Sequence, residues 1–304
     1  MSKVSFIIPS RNEILLSNNG ETLLQRTVRD IYEKATGEFE VIVAFDGPPY
    51  QPLPDYPNLI RLELPQQGLK PCVNQAAEIA TGKYLYKSDS HCMFSKGIDE
   101  VLQSKIEDNW VVMPRFYVLD AENWKFQDER YYDYFFLDCP LTDKKGYRFK
   151  AGGHWPERTK ERLSIGPLDE SLTLHGSGWM INRDFFLNEL GGMQVEGYGV
   201  SFMEPADLGN RVWLGKWGGK VMVRKDCWLA HAHKGGQRDR GYPISMREVK
   251  RSYNWTANFW MRNQWKERAH DLEWLIDRFK PVPTWPDNWK ELQAKYEMEN
   301  PVWQ

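Results

Sequence analysis

The sequence predicts an α/β fold with a mostly parallel sheet. Over the first 95 residues, short apolar runs rich in β-branched residues alternate with segments of helical periodicity. This order is typical of βαβ units, which place helices on both faces of the sheet. Several runs end in polar residues, at the edge where open parallel sheets bind ligands. A length of 304 residues suits one large domain with a C-terminal extension.

The first half of the chain contains the clearest elements. The predicted strands span residues 4–9, 40–45, 59–64 and 83–88, and the predicted helices span residues 22–34 and 71–82. The first strand stops at Pro9 and is followed by a polar loop. Pro71 suits the start of a helix, where a missing N–H costs nothing, and Gly82 suits its end.

The second half is less regular. Residues 110–155 are rich in aromatic side chains and predict strands joined by long loops. Further elements are predicted as strands at residues 174–181 and 220–223 and as helices at residues 184–190, 206–213 and 244–266. The last of these is amphipathic. In the tail, residues 281–304, we expect Trp285, Trp289 and Trp303 to anchor the chain against the domain.

Composition excludes several classes of protein. The 40 basic and 42 acidic residues give a net charge of −2, which argues against a protein whose whole surface coats nucleic acid. The four cysteines, Cys72, Cys92, Cys139 and Cys227, lack Cys-x-x-Cys spacing, so we expect them to be reduced and buried. No apolar run reaches the ~20 residues of a membrane span, and no signal peptide is evident. The sequence therefore predicts a soluble, cytoplasmic protein without a membrane partner.

The tripeptide Asp89-Ser90-His91 is a candidate metal site. It follows the fourth predicted strand, and residues two apart in an extended chain share a face. A carboxylate and an imidazole with open positions beside them suit Mn²⁺ or Mg²⁺ bound to a diphosphate. An ordinary surface turn would explain the tripeptide equally well if no other motif accompanied it.

Other motifs do accompany it. Residues 68–77 (GLKPCVNQAA), 80–85 (ATGKYL) and 89–91 (DSH) closely resemble the nucleotide-binding half of glycosyltransferase family 2 and its relatives with the GT-A fold, with similarity over residues 3–95. That family typically carries Asp-x-Asp at its metal site. This chain has Asp-x-His, as do the polypeptide N-acetylgalactosaminyltransferases.

A second block extends the resemblance. Residues 176–186 (GSGWMINRDFF), followed by Gly191-Gly192, resemble the donor-sugar segment of the N-acetylgalactosaminyltransferases. Residues 204–213 (EPADLGNRVW) look like their Glu-Asn-x-Glu segment. The resemblance implies a GT-A catalytic domain at residues 1–240, with a nucleotide-binding half (1–95) and a sugar and acceptor half (96–240). Residues 241–304 would form a helical, aromatic extension.

The resemblance also implies roles for particular residues. Glu204 and Asp207 would be catalytic, facing the donor sugar or the acceptor hydroxyl. Capping of a helix N-terminus is the alternative for both. Pro205 replaces an Asp that inverting members usually carry, which favours retention of configuration. Donor contacts are expected from Pro9, Arg11, Asn12, Asp46, Lys70, Asn74, Ser90, Gly176 and Gly178. Turn chemistry or solvated charge is the alternative for Asn12, Asp46 and Lys70.

His231 and His233 are candidates for the third metal ligand. GT-A enzymes commonly supply a further histidine after the last core strand, and alternation would put both side chains on one face. The resemblance leaves open which of the two binds the metal, and a structural role is the alternative. The expected cofactor is Mn²⁺, or else Mg²⁺.

The region from Lys234 to Arg251 is basic, with six basic and two acidic residues. It would serve as a lid over the diphosphate, as a groove for a polyanionic acceptor such as DNA, or as an ordinary surface helix. The segment also resembles family-2-type proteins of bacteria and their phages. The sequence therefore predicts a metal-dependent transferase acting from a nucleotide-diphosphate sugar, in the host cytoplasm if viral. Its acceptor would be a hydroxymethylated DNA base, a glycan or a protein. A non-catalytic module that binds sugar or nucleic acid is the alternative.

Overall fold

A computed structural model describes residues 1–200, 203–233 and 245–301. Its strands are β1 (Val4–Ser10), β2 (Phe39–Asp46), β3 (Leu59–Leu64), β4 (Tyr84–Ser88), β5 (Cys92–Phe94), β6 (Trp110–Asp120), β7 (Lys125–Tyr132), β8 (Phe135–Leu137), β9 (Ala151–His154), β10 (Leu168–Glu170), β11 (Gly178–Asn182) and β12 (Lys220–His231). Its helices are α1 (Leu23–Lys34), α2 (Leu69–Ile79), α3 (Ile98–Gln103), α4 (Pro156–Glu161), α5 (Asn210–Leu214), α6 (Met246–Met261), α7 (Leu272–Phe279) and α8 (Trp289–Glu299). Two π-helical turns span Phe185–Glu189 and Pro205–Gly209.

One large sheet organises the described chain. Its main order is β10-β12-β6-β11-β4-β1-β2-β3, with β5 paired to β12 and β7 paired to β6. Strands β3, β2, β1 and β4 are parallel neighbours, β11 is antiparallel, and β6 and β12 again run parallel to each other. The predicted α/β fold with a mostly parallel sheet is confirmed. Strands β1 and β4 are buried at every position, which accounts for their continuous apolar character.

Helix α1 shows how local sequence sets an element. Thr22 is its N-cap, accepting from the backbone N–H of Gln25 at 3.2 Å, while the Gln25 side chain accepts from the Thr22 N–H at 2.9 Å. This reciprocal pair satisfies two backbone donors that a helix start otherwise leaves open. Val28 and Ile31 are buried against the sheet. The helix therefore begins and packs as the periodicity predicts.

The second half is more ordered than the sequence indicates. Residues 110–155 contain four strands, β6 to β9, and β6 alone spans eleven residues. Strand β12 continues to His231 instead of ending near residue 223. The reason is a register shift against β6 between Arg224 and Trp228, where polar residues interrupt the apolar pattern.

The C-terminal segment packs into the same core as the sheet. Trp260 of α6, Leu275 of α7, Trp285 and Trp289 are all buried there. The indole N–H of Trp285 donates to the carbonyl of Leu137 at 2.6 Å. Two of the predicted anchors are thus found in the core, and Trp303 lies outside the described residues. The domain boundary at residue 240 stays a prediction.

Two smaller expectations concern the cysteines and the membrane. All four cysteines are buried and free, as predicted. None of the helices within the described ranges combines the length and the apolar character needed to cross a bilayer.

A buried carboxylate joins the first two strands to the end of α2. Glu40 accepts hydrogen bonds from Ser5 Oγ at 2.6 Å, from the Thr81 N–H at 2.7 Å and from Lys3 Nζ at 3.0 Å. Burial by itself would raise the pKa of Glu40, but these donors outweigh it and lower the pKa to about 2. Glu40 therefore stabilises the fold in its ionised form.

We expect Glu40→Gln to lower the free energy of unfolding at pH 7 by roughly 2 kcal/mol, because it removes charge-assisted hydrogen bonds. The folded pKa of about 2 lies below the unfolded value of 4.5, so the wild-type advantage is complete above pH 4.5. It should disappear as the pH falls to 2. Urea unfolding between pH 7 and pH 2 measures this. Glu63→Gln, at an exposed position of β3, is the control. An advantage independent of pH would contradict the prediction.

Candidate active site

The site is built at the carboxyl end of β4. Asp89 follows the strand directly, and its N–H donates to the carbonyl of Ser177 at 3.0 Å, next to β11. His91 comes just before β5, which pairs with the end of β12 so that Cys92 faces His231. The N–H of Ala232 donates to the carbonyl of His91 at 3.1 Å. Backbone pairing thus brings together ligand candidates that lie about 140 residues apart in the sequence.

Three of the four predicted metal ligands meet. Ligand atoms of Asp89, His91 and His231 all lie within 4.8 Å of one another. His231 Nε2 is 3.2 Å from Asp89 Oδ2. His233 lies outside this group, with its ring centre 5.0 Å from that of His231. The structure therefore brings His231, the last residue of β12, to Asp89, and places His233 in the adjoining wall.

The electrostatics of this trio suit a cation. Burial by itself would raise the pKa of Asp89, but the charge of Lys87 and the imidazole of His231 hold it well below its usual range. Burial lowers the pKa of His231 to about 4, so the imidazole is neutral at pH 7. Both of its ring nitrogens are buried and lack a well-oriented hydrogen bond among the described residues. An ionised carboxylate beside neutral imidazoles is the state in which metals are bound.

Lys87 is a site residue that the sequence reasoning missed. Its side chain is fully buried in β4. The Nζ atom donates to Asp89 Oδ1 at 2.7 Å and to the carbonyl of Gly176 at 2.6 Å, and it lies 3.1 Å from Glu204 Oε1. Burial by itself would lower the pKa of Lys87, but the two carboxylates raise it above its usual value. The available signal was a lysine inside an otherwise apolar strand.

Glu204 completes this cluster from the opposite side. It directly precedes the π-helical turn Pro205–Gly209 and is 7% exposed. Burial raises its pKa, with the charge of Lys87 opposing that effect. A Cβ atom at Gly176 would lie 2.8 Å from Glu204 Oε2. The predicted glycine is therefore required for the carboxylate to reach Lys87.

A cleft of about 1170 Å³ opens beside these residues. Of the predicted site residues, it is lined by Pro9, Arg11, Asp46, Asp89, Ser90, His91, Gly176, Glu204, His231 and His233. Ser90 Oγ donates to Glu13 Oε2 at 3.1 Å, and His91 Nδ1 lies 3.3 Å from the same oxygen. Glu13 therefore orients the Asp-x-His segment from behind the cleft.

Asp46 has both a structural and an exposed side. Its Oδ1 accepts from the backbone N–H groups of Gln67 and Gly68, at 2.6 and 2.8 Å. These bonds hold the loop before α2 against the end of β2. Oδ2 lies 3.9 Å from Arg11 Nη1 at the edge of the cleft. One oxygen thus shapes the loop while the other, with Arg11, faces the space where a ligand would bind.

Lys70 and Asp207 are committed to the protein interior. Both side chains are fully buried and neither lines the cleft. Lys70 Nζ donates to the carbonyl of Gln194 at 2.8 Å and lies 3.7 Å from Asp207. Asp207 accepts from Arg211 Nε at 2.7 Å and from the Gln194 N–H at 2.9 Å. These contacts favour structural roles over the predicted donor and catalytic ones.

Three other predicted donor contacts also lie away from the cleft lining. Asn74 exchanges two hydrogen bonds with the backbone of Met193, at 2.8 and 3.0 Å, and so fixes α2 to the loop after Gly191-Gly192. A Cβ atom at Gly178 would lie 2.5 Å from Leu229, which makes this glycine a packing residue. Asn12 adopts a positive φ of 42° in the loop after β1.

The far wall of the cleft is formed by aromatic rings and imidazoles that the sequence reasoning did not select. Phe116 of β6 lies within ring-contact distance of four histidines: His154, His175, His231 and His233. Burial lowers the pKa of His154 to about 4 and that of His175 to about 3. A wall of neutral, flat side chains suits a substrate that stacks. No local sequence signal separates these histidines from structural ones.

Comparison with known proteins agrees with this geometry. Residues 5–188 match the family Glycosyl transferase family 2. Polypeptide N-acetylgalactosaminyltransferase 5 of Caenorhabditis elegans is 25% identical over 221 residues, which are 66% of this chain. The matched segment is 33% of that protein, so the chain spans only part of its relative.

Solved structures show the shared fold. A crystal structure of GalNAc-T7 with UDP, GalNAc and Mn²⁺ superposes with a TM-score of 0.65 at 18% identity, covering 98% of this chain and 55% of that one. Staphylococcus aureus TarS in complex with UDP-GlcNAc gives 0.48 at 13% identity, over 80% and 62% of the two chains. Since the family match extends over more than half of the chain, the protein belongs to glycosyl transferase family 2, as its sequence resemblance predicts.

Proposed function

We propose that the protein is a metal-dependent glycosyltransferase that moves a sugar from a nucleotide-diphosphate sugar to an acceptor hydroxyl. The observation that carries the proposal is the meeting of Asp89, His91 and His231 at the mouth of a large cleft. Family membership supports the reaction class. UDP is the favoured nucleotide because both solved relatives were determined with UDP or a UDP-sugar.

Mn²⁺ fits the ligand candidates better than Mg²⁺. One carboxylate and two imidazoles form a mixed oxygen and nitrogen set, whereas Mg²⁺ favours oxygen ligands. The unsatisfied ring nitrogens of His231 are atoms that such an ion would use. Once bound, the ion would supply positive charge to the diphosphate leaving group. Asp89, His91 and His231 would hold it in this chain.

The donor would extend along the cleft from β1 toward Glu204. Pro9, Arg11 and Asp46 would bind the nucleotide end, and Gly176 and Glu204 the sugar end. A volume of about 1170 Å³ exceeds the ~1,000 Å³ upper range of ordinary small-molecule pockets. This size leaves room for a donor and part of an acceptor together.

Retention of configuration is the favoured stereochemical outcome. An inverting enzyme needs a carboxylate free to take the proton of the acceptor hydroxyl. Glu204 is the carboxylate nearest the proposed sugar position, and it is engaged by Lys87 at 3.1 Å. Pro205 follows it where inverting relatives have Asp. A neutralised Glu204 is better suited to positioning sugar hydroxyls and balancing charge than to deprotonating the acceptor.

The acceptor stays open between DNA and a glycan or protein. Residues 234–244 of the basic region lie outside the described residues. Arg247, Lys250 and Arg251 are exposed on α6, and Arg251 lines the cleft beside Glu248. These cations give a hydroxymethylated DNA base its only structural support. A binding module without turnover is the second candidate function, distinguished by the assays that follow.

Removal of the central carboxylate should separate an enzyme from a binding module. We expect wild-type protein with Mn²⁺ to hydrolyse a UDP-sugar slowly and to lose this activity in EDTA. Asp89→Asn should lower the rate by at least ~100-fold and weaken Mn²⁺-dependent UDP binding, since a neutral amide is a poor ligand for the ion. Calorimetry with UDP and Mn²⁺ measures the binding. Asp128→Asn, on the edge strand β7, is the control. Unchanged binding in Asp89→Asn would overturn the metal assignment.

The acceptor is tested by following a labelled sugar. If DNA is the acceptor, label from the donor should enter duplex containing hydroxymethylated bases and should not enter ordinary duplex. Arg251→Ala should reduce transfer to DNA, with a weaker dependence on salt, because one phosphate contact is removed. Lys216→Ala, far from α6 in the sequence and paired with Glu267 at 3.0 Å, is the control. Label found only in glycans or proteins would exclude the DNA acceptor.

Lys87 should couple folding to metal binding. Lys87→Met leaves Asp89 and Glu204 without their shared cation, so we expect the metal-free variant to lose roughly 3 kcal/mol of unfolding free energy. Added Mn²⁺ should then stabilise the variant more than it stabilises the wild type, because the ion replaces the missing positive charge. Thermal unfolding with and without Mn²⁺ measures both effects. Lys83→Met, exposed at the start of the same strand segment, is the control. An equal Mn²⁺ effect in variant and wild type would contradict the prediction.

A further inference from the structure

A second cavity, of about 600 Å³, lies beside the donor cleft. The two are separated by residues 194–198, a segment one chain thick. Gln194 and Glu196 line the second cavity, whereas Val195 and Gly197 line the donor cleft. Tyr198 lines both. The second cavity is therefore a distinct site that shares a wall with the proposed active site.

Aromatic rings form much of its surface. Trp255 and Phe259 of α6 are stacked, with ring centres 4.5 Å apart and planes at 17°. Trp217 and Trp265 lie opposite, with ring centres 6.0 Å apart. All four side chains are half-buried, although side chains of this size usually gain most from full burial. Flat apolar faces thus remain open to a ligand.

The polar groups of the cavity are already balanced in charge. Glu189 accepts from the indole N–H of Trp217 at 2.8 Å, and Glu267 pairs with Lys216 at 3.0 Å. Arg211 is held by Asp207 and donates to the carbonyl of Leu190 at 2.6 Å. The remaining lining groups include amides, Gln194 and Gln264 among them. Such a lining offers hydrogen-bond acceptors and donors without a cation directed at a phosphate.

We propose that this cavity binds a neutral saccharide. A sugar presents an apolar C–H face that stacks on tryptophan and a rim of hydroxyls that bond to amides and carboxylates. The acidic rim opposes nucleotides and nucleic acid, and the internal pairing of Glu189 and Glu267 weakens the attraction for a cationic side chain. The inference goes beyond the proposed function, because binding here needs neither the donor nor the metal.

The test uses the whole chain without nucleotide or metal. Chitobiose, lactose and maltose are titrated while tryptophan fluorescence and saturation-transfer NMR are followed. At least one disaccharide should bind saturably. Trp217→Ala and Trp265→Ala should weaken its binding at least about fivefold, the equivalent of about 1 kcal/mol for one lost aromatic contact. Trp274→Ala, a half-buried tryptophan stacked on His270 outside both cavities, should bind like the wild type.

Further arms keep the result decisive. Glu196→Ala changes an exposed side chain at the rim and should weaken binding even if a tryptophan variant fails to fold. Arginine amide and inorganic phosphate should not displace the disaccharide. With Mn²⁺ and a labelled donor added, label on the disaccharide identifies it as part of an acceptor, and binding without label identifies a separate saccharide. Absence of saturable binding by all three sugars, or wild-type binding in the cavity variants, would overturn the proposal whatever the outcome for UDP.

Discussion

The whole site depends on one buried ammonium group. Lys87 lies inside β4, where an uncompensated charge would cost several kcal/mol. Its compensation comes from Asp89 on the same strand end, from the carbonyl of Gly176 and from Glu204. These partners come from three separate parts of the sequence. The need to neutralise this one cation therefore fixes where the β11 segment and the turn after Glu204 lie relative to β4.

A second buried network explains why the two predicted catalytic acids separate. Glu204 and Asp207 are three residues apart, a spacing that an α-helix would place on one face. The intervening backbone forms a π-helical turn, which is wider and rotates the two side chains further apart. Glu204 consequently enters the cleft, while Asp207 turns inward to Arg211 and Lys70. The second network supports the wall between the two cavities and has no surface in the cleft.

The sequence predicts those parts of the site that depend on contiguous residues. Asp89 and His91 follow from two-residue spacing at the end of a strand, and the α/β fold follows from alternating periodicities. It does not distinguish His231 from His233, because that choice depends on the register of β12 against β5 after a shift near Trp228. Lys87 escaped notice because its partners are distant in sequence. The aromatic wall escaped because packing, with no local motif, places Phe116 among histidines.

The charge of the cleft explains why the proposed reaction would need a metal ion. A departing nucleotide diphosphate carries at least two negative charges, which a protein must balance. Among the described residues that line the cleft, the arginines are Arg11, beside Asp46, and Arg251, next to Glu248. Burial keeps the lining imidazoles neutral at pH 7, with a pKa of about 4 for His154, His231 and His233 and about 3 for His175. Lys87 is already balanced by Asp89 and Glu204. Positive charge sufficient for a diphosphate would therefore come from an ion held by Asp89, His91 and His231, and the neutral wall would leave that charge directed at the leaving group.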